Sequence, residues 1–172
     1  MVSKNSYPAE QINHAFARRA LLLCLALLGG CANFSAIAPG TPSQQVLSRV
    51  GKPDTVLKNP DGSQVWEYPQ GPSGYQTYMI TLAPDDSVRD VRQVLSARYF
   101  DEVRPGMSRE DVRHILGRPK EILYFPARDE EAWTWRYMDQ QPMFFNVIFD
   151  RTSGTVRSSQ RIQEVFSGTD GC

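Results

Sequence analysis

Two stretches of the chain carry the same apolar spacing. Val46, Leu47 and Val50 recur at intervals of three and four, as do Val112, Ile115 and Leu116, so each set forms a stripe on one face of a short helix. Thr41, Pro42 and Gln44 supply a cap, a first-turn proline and a capping-box partner for the first helix. Ser108, Glu110 and Asp111 do the same for the second through cap and dipole. Gly51 and Gly117 suit the left-handed terminal conformation, and Pro53 and Pro119 forbid continuation. A helix of about nine residues is too short to stand alone in water, so each must dock on another element.

Strand-like runs follow each helix. They fall at 55–57, 64–68, 78–82 and 88–95 after the first, and at 121–125, 133–138, 144–150 and 155–164 after the second. Turns are expected at Asn59-Pro60-Asp61-Gly62 and Arg151-Thr152-Ser153-Gly154. The two halves also match residue by residue. Pro39, Gly40, Val46, Gly51 and Pro53 coincide without a gap with Pro105, Gly106, Val112, Gly117 and Pro119, and Trp66-Glu67-Tyr68 answers Trp135-Arg136-Tyr137 after a longer hairpin. The repeat is therefore a whole unit, a short helix and then an antiparallel meander with helices on one sheet face. The expected fold is α+β, with two tandem units spanning 39–95 and 96–166 and giving a two-lobed protein. The stretch 96–102, with Tyr99 and Phe100, reads as a helical turn into the second unit, and 167–172 as a flexible end.

The first thirty residues follow a different pattern. Lys4, Arg18 and Arg19 precede an apolar run from Ala20 to Leu28, closed by Gly29, Gly30 and Cys31, which is the order of a secretion signal. Such a run spans about 14 Å as a helix, against a bilayer core of about 30 Å, so it is expected to be removed rather than to span. Leu28-Gly29-Gly30-Cys31 resembles a bacterial lipobox. That resemblance implies cleavage before Cys31, diacylation of its sulfur and acylation of its amine, an anchor well above the two-chain threshold. Ala32 after the cysteine implies sorting to the outer membrane, with 31–38 as a lipidated tether. Cys24 leaves with the signal, and Cys172 is left without a partner for an intrachain disulfide.

Charge and candidate chemistry narrow the function. Lys and Arg total 19 and Asp and Glu total 19, so nothing suggests a nucleic-acid partner. Past the signal the one histidine is His114, in a helix between Arg113 and Ile115 without an advertised triad partner. The acidic pairs Asp85-Asp86, Asp101-Glu102 and Glu130-Glu131 sit at turns or strand starts, where solvated charge is the ordinary reading. Zinc spacing, nucleophile elbow and phosphate loop are all missing from the sequence. The expected protein is not an enzyme and carries no metal or cofactor.

Val103-Arg104-Pro105-Gly106-Met107-Ser108, Val112, Leu116-Gly117-Arg118-Pro119, Trp135-Arg136-Tyr137 and Val147-Ile148-Phe149-Asp150 together resemble the SmpA/OmlA, or BamE-like, family of outer-membrane lipoproteins. Ile37-Ala38-Pro39-Gly40-Thr41, Val46, Gly51-Lys52-Pro53 and Trp66-Glu67-Tyr68 repeat the match more loosely. The resemblance implies two helices against a three-stranded antiparallel sheet, and a non-catalytic role in binding envelope partners, barrel-assembly components among them. The family's partner-contacting Asn-Tyr-Leu step has no counterpart between Ala32 and Ile37. A doubled helix-plus-sheet unit also resembles, in architecture alone, secreted β-lactamase inhibitors that bind enzymes through an aromatic sheet face.

Trp133, Trp135 and Tyr137 alternate along one strand face, as do Phe145, Val147 and Phe149 along the next, which is the pattern of a face buried under a helix. Trp133 aligns with Gln64, where the first unit needs no core aromatic, and is the expected contact residue, with Val103 and Arg104 as further candidates. The motif positions Gly40, Gly51, Pro53, Trp66, Gly106, Gly117, Pro119 and Trp135 are expected to be structural. The sequence thus predicts an outer-membrane lipoprotein facing the periplasm, a binding or scaffold module for envelope maintenance or outer-membrane protein assembly. The alternative is an anchored inhibitor of a periplasmic enzyme.

Overall fold

The computed structural model describes residues 33–71 and 73–164. Cys31 and the expected signal, and the end of the chain from 165 with Cys172, lie outside them. Helix α1 (Ser43–Val50) leads into strands β1 (Thr55–Lys58), β2 (Gln64–Pro69), β3 (Thr77–Leu82) and β4 (Val88–Gln93). A single helical turn, α2 (Ala97–Phe100), precedes α3 (Arg109–Leu116), followed by β5 (Glu121–Phe125), β6 (Glu130–Asp139), β7 (Gln141–Asp150) and β8 (Val156–Gln163). The fold is α+β. Each run of strands forms an antiparallel four-stranded meander, β1-β2-β3-β4 and β5-β6-β7-β8. The family resemblance had implied three strands under two helices; here a fourth strand closes each sheet, and one helix of two turns accompanies it.

The repeated Pro-Gly motif has a structural reason. Ahead of α1, Gly40 N–H donates to the Val88 carbonyl at 2.7 Å and Val88 N–H returns to Thr41 O at 2.8 Å. Ahead of α3, Gly106 N–H reaches Val156 O at 2.9 Å and Val156 N–H reaches Met107 O at 2.8 Å. The motif thus ties the helix entry of each unit to the first residue of that unit's last strand. At the other end Gly51 and Gly117 adopt φ 81° and 75° with ψ near −167°. That region is open to glycine almost alone, a stricter demand than the left-handed cap expected.

The caps themselves differ. Ser108 and Asp111 form a full capping box, with Asp111 N–H donating to Ser108 Oγ at 3.1 Å. Thr41 does not cap: α1 begins one residue later, with Pro42 at the N-cap, and the Thr41 hydroxyl donates to Ala38 O at 2.7 Å.

Two hydrophobic clusters show how the units pack. Val46 of α1 meets Trp66, Tyr68, Ile80, Leu82 and Val88, one face of the first sheet. Val65 and Met79, on its opposite face, join Val112 and Leu116 of α3 and the Trp133, Trp135, Tyr137, Phe145, Val147 and Phe149 face of the second sheet. The layers therefore run α1, first sheet, α3, second sheet, with α3 filling the space between sheets. The two lobes expected from the sequence are instead one stack with a shared core, because the single apolar stripe of α3 (Val112, Ile115, Leu116) packs together with Val65 and Met79 of the first sheet and the aromatic face of the second, which buries apolar area of both sheets in one cluster. The stretch 31–38, expected to be a tether, is in part packed. Phe34 and Ile37 are buried in the first core, and the Phe34 ring stacks on Tyr78 at 4.1 Å, so 34–37 belongs to the fold. Among the described residues no helix is long and apolar enough to cross a membrane.

Candidate ligand cleft

A cleft of about 360 Å³ lies where the two units meet. Its walls come from Asp54 and the 69–77 turn of the first unit, and from Arg118, Lys120, Trp135 and Arg136 of the second. The chain reaches this wall because Gly117, at φ 75°, turns out of α3, and its carbonyl accepts the Trp135 indole N–H at 3.2 Å. Beneath the turn the fully buried Glu67 carboxylate accepts the Arg118 backbone N–H and pairs with Arg113 at 2.9 Å. One acid of the first sheet thereby fixes both the end of α3 and the cation that follows it.

Three cations line the cleft. Arg118 reaches Asp54 at 3.4 Å, a largely exposed pair of little energetic weight. Lys120 rests its ammonium 5.1 Å from the centre of the Phe144 ring, and among the described residues has no ion-pair partner. Arg136 is held most firmly, donating to Glu164 at 2.6 Å and to Ser73 O at 3.0 Å while stacking 4.3 Å over Tyr75. The Glu164 hydrogen bond pushes its pKa further above the ordinary guanidinium value. Leu95, Pro69 and the edge of Trp135 supply the apolar floor. An apolar floor under a positively charged rim suits an anionic group carried on an apolar body.

The sequence-predicted contact residues go elsewhere. Trp133 is buried at 8% exposure, 4.9 Å from Phe149, with its indole N–H donated to Glu131. It is a core residue and not a surface contact; its polar edge is satisfied internally by a carboxylate that also binds Arg109 at 2.8 Å. Val103 is buried against the same core. Arg104 is exposed beside a shallower hollow with Asp101 and Arg161, on other residues than those of the cleft. Of the motif positions, Trp66, Trp135, Gly117 and Pro119 are buried, whereas Gly40, Gly106, Gly51 and Pro53 are exposed or half-buried, with the three glycines among these at positive φ.

Neither His114 nor the acidic pairs form a catalytic set. His114 is 42% exposed and 3.8 Å from Glu110. Asp85 accepts from the Ser87 hydroxyl and N–H, which hold its carboxyl below the usual range, and Asp101 pairs with Arg161. Among the described residues no group of three metal-ligating side chains converges.

Of the residues that build the cleft, Pro119 and Trp135 were singled out from the sequence, as structural positions, but the charged ones were not. Glu67 and Arg136 occupy the same place in the two Trp-x-Tyr motifs, and a charge between two core aromatics is the signal that marks them.

No family model matches this chain, and no curated protein does. Among solved structures it is similar to a candidate osmotically inducible lipoprotein, OsmE, at 26% identity over 38% of this chain and 68% of that one, with a TM-score of 0.34. It is also similar to a candidate β-lactamase inhibitor protein from Streptococcus mutans, at 14% identity over 89% and 98% of the two chains, with a TM-score of 0.33. A DUF4309 family protein, YjgB, from Bacillus subtilis shares 14% identity over 72% and 78%, with a TM-score of 0.28.

Proposed function

We propose that this chain is an outer-membrane lipoprotein, anchored through acyl chains on Cys31, that serves as a non-catalytic binding module in envelope maintenance or outer-membrane protein assembly. The observation that carries the binding role is the junction cleft, with its basic rim, its apolar floor and no nucleophile–base pair in its lining. The anchor is supported by the lipobox Leu28-Gly29-Gly30-Cys31. Because Phe34, three residues after Cys31, is already packed in the first core, a lipid on Cys31 would keep the first unit close to the bilayer.

The alternative, an enzyme inhibitor working through an aromatic sheet face, loses its surface: Trp133, Trp135, Phe145 and Phe149 are all core. An inhibitor would have to use other residues.

Two measurements test the proposal together. Metabolic palmitate labelling and fractionation should place the native chain in outer membranes and leave Cys31→Ser unlabelled. Cross-linking in intact cells should then capture barrel-assembly components with the native chain, and lose them with Arg118→Glu combined with Lys120→Glu. Capture of a periplasmic hydrolase instead would favour the inhibitor, and a Cys31→Ser chain still held by membranes after a high-salt wash would overturn the anchor.

A further inference from the structure

Among the described residues four strand edges are open, and three of them carry the features that discourage pairing with another chain. Edge strand β4 holds Arg89, Asp90 and Arg92, with a register shift beside it between Thr81 and Leu82. Edge strand β8 holds Arg157 and Arg161, with a shift at Ile148/Phe149. The helix entries further cover the start of both through the Gly40–Val88 and Gly106–Val156 hydrogen bonds. Edge strand β1 is only four residues long and ends in Lys58.

Edge strand β5 is different. Its ladder with β6 runs without a shift, and three consecutive apolar side chains are exposed: Ile122 at 40%, Leu123 at 43% and Tyr124 at 59%. Ile122 and Tyr124 lie on the face of Trp133, and Leu123 on the face of Ala132, so apolar surface is offered on both sides of a bare backbone edge.

We propose that β5 receives an extended segment of a partner polypeptide, which adds a fifth strand to the second sheet. The rest of the edge defines that segment's chemistry. At one end is Lys120, whose ammonium rests over the Phe144 ring of β7, and at the other Arg151, whose guanidinium lies 5.6 Å over the Tyr124 ring on the edge strand itself; neither is in an ion pair among the described residues. Glu121, at the first position, is the one acid in the strand.

The complementary segment has apolar side chains at its central positions and an acidic residue towards each end. A second copy fits poorly. Antiparallel self-pairing about Leu123 would set Lys120 of each copy towards the Arg151 end of the other, with four cations against only the two Glu121 carboxylates along one seam. The edge shares Lys120 with the junction cleft, but Leu123, Tyr124 and Arg151 lie outside that cleft's lining.

The test uses the full chain in detergent micelles and a labelled peptide of roughly nine residues, valine alternating with threonine between terminal glutamates. Anisotropy should show saturable binding, and amide exchange should slow at residues 122–125 on addition of peptide. Leu123→Lys with Tyr124→Lys should weaken binding about tenfold or more, whereas Ile162→Lys on the β8 edge should leave it unchanged. Both variants are read alongside their melting temperatures. A peptide with N-methylated backbone, used on the unaltered protein, should also fail to bind, because a β-ladder needs those N–H groups. Equal binding by the methylated peptide, exchange protection at residues other than 122–125, or sedimentation showing self-association that the peptide does not disturb would each overturn the proposal.

Discussion

The Glu67 carboxylate, in the middle of the first sheet, meets the Arg113 guanidinium, in the helix of the second unit, at 2.9 Å, and Glu67 is fully buried. It accepts the Arg118 N–H as well, so one side chain satisfies a charged donor and a backbone donor that the stacking of the two units would otherwise strand. Glu67→Ala should therefore cost about 3–5 kcal/mol in urea melts, because the penalty lies in leaving the partners unpaired. Arg113 keeps 27% of its side chain exposed, which puts the loss near the lower end. Glu67→Leu combined with Arg113→Leu should lose clearly less than the two single changes added together. A double variant as unstable as that sum would show that the pair does not act as a unit.

Gly51 and Gly117 share a backbone conformation but not a neighbourhood. A Cβ on Gly51 would meet nothing within 4 Å, while one on Gly117 would come 2.9 Å from Glu67 Oε1 and 3.2 Å from Thr77 Cγ2. Gly51→Ala should cost the backbone strain alone, about 1–3 kcal/mol. Gly117→Ala should cost distinctly more, since the added methyl also pushes on the buried carboxylate. His114→Ala, at an exposed helix position, should stay within about 0.5 kcal/mol of the native chain. Thermal melts that rank Gly51→Ala as the worst of the three would contradict this reading of the α3–sheet junction.

Much of this fold was legible because its signals are local. The stripe Val112, Ile115, Leu116, the cap at Ser108 and the stop at Gly117-Arg118-Pro119 each act within a few residues, and α3 begins and ends where they put it. The alternation Trp133, Trp135, Tyr137 likewise placed a buried sheet face correctly. What the sequence did not reveal is set by partners far along the chain. Val65 and Met79 are buried only because α3 lies on them, and Glu67 reads as an exposed strand residue until Arg113 and Arg118 arrive opposite it. Trp133 misled for the same reason. Its counterpart Gln64 is a polar side chain that accepts the Trp66 indole N–H at 3.2 Å, but the second sheet carries Phe149 and Glu131 at the positions that enclose an indole. The cleft depends on the meeting of the 69–77 turn with Arg118-Pro119-Lys120, a junction that no local pattern encodes.

Since Trp133 is core, its truncation should act on folding. Trp133→Ala ought to destabilise by about 3–5 kcal/mol, as should Trp135→Ala, which is buried to 1% exposure. Trp133→Ala also strips Glu131 of one of its two donors, so Trp133→Phe should recover part but not all of the loss. A Trp133→Ala chain that melts like the native protein would return this residue to the surface.

Acid sensitivity should trace in part to Asp150, at the β7–β8 turn. Its carboxylate accepts the Ser153 N–H at 2.8 Å and the Arg157 guanidinium, and these hydrogen bonds hold its pKa at about 2 against an ordinary 3.8. A carboxyl whose pKa is lower in the folded than in the unfolded chain contributes stability that is fully present above the unfolded value and disappears as pH falls through the folded one. For Asp150 that window runs from about 4 down to about 2. Asp150→Asn should therefore be less stable than the native chain at neutral pH, by a constant margin down to about pH 5. The margin should then shrink steadily as both are melted at lower pH, closing near pH 2. Asp61, Asp85 and Asp111 are lowered in the same direction by serine hydrogen bonds, so the native chain and the variant should both weaken over this range, and only their difference isolates Asp150. Urea titrations at half-unit pH steps measure that difference directly, and a margin that stayed constant to pH 2 would mean the Ser153 and Arg157 hydrogen bonds do not depend on the charge of Asp150.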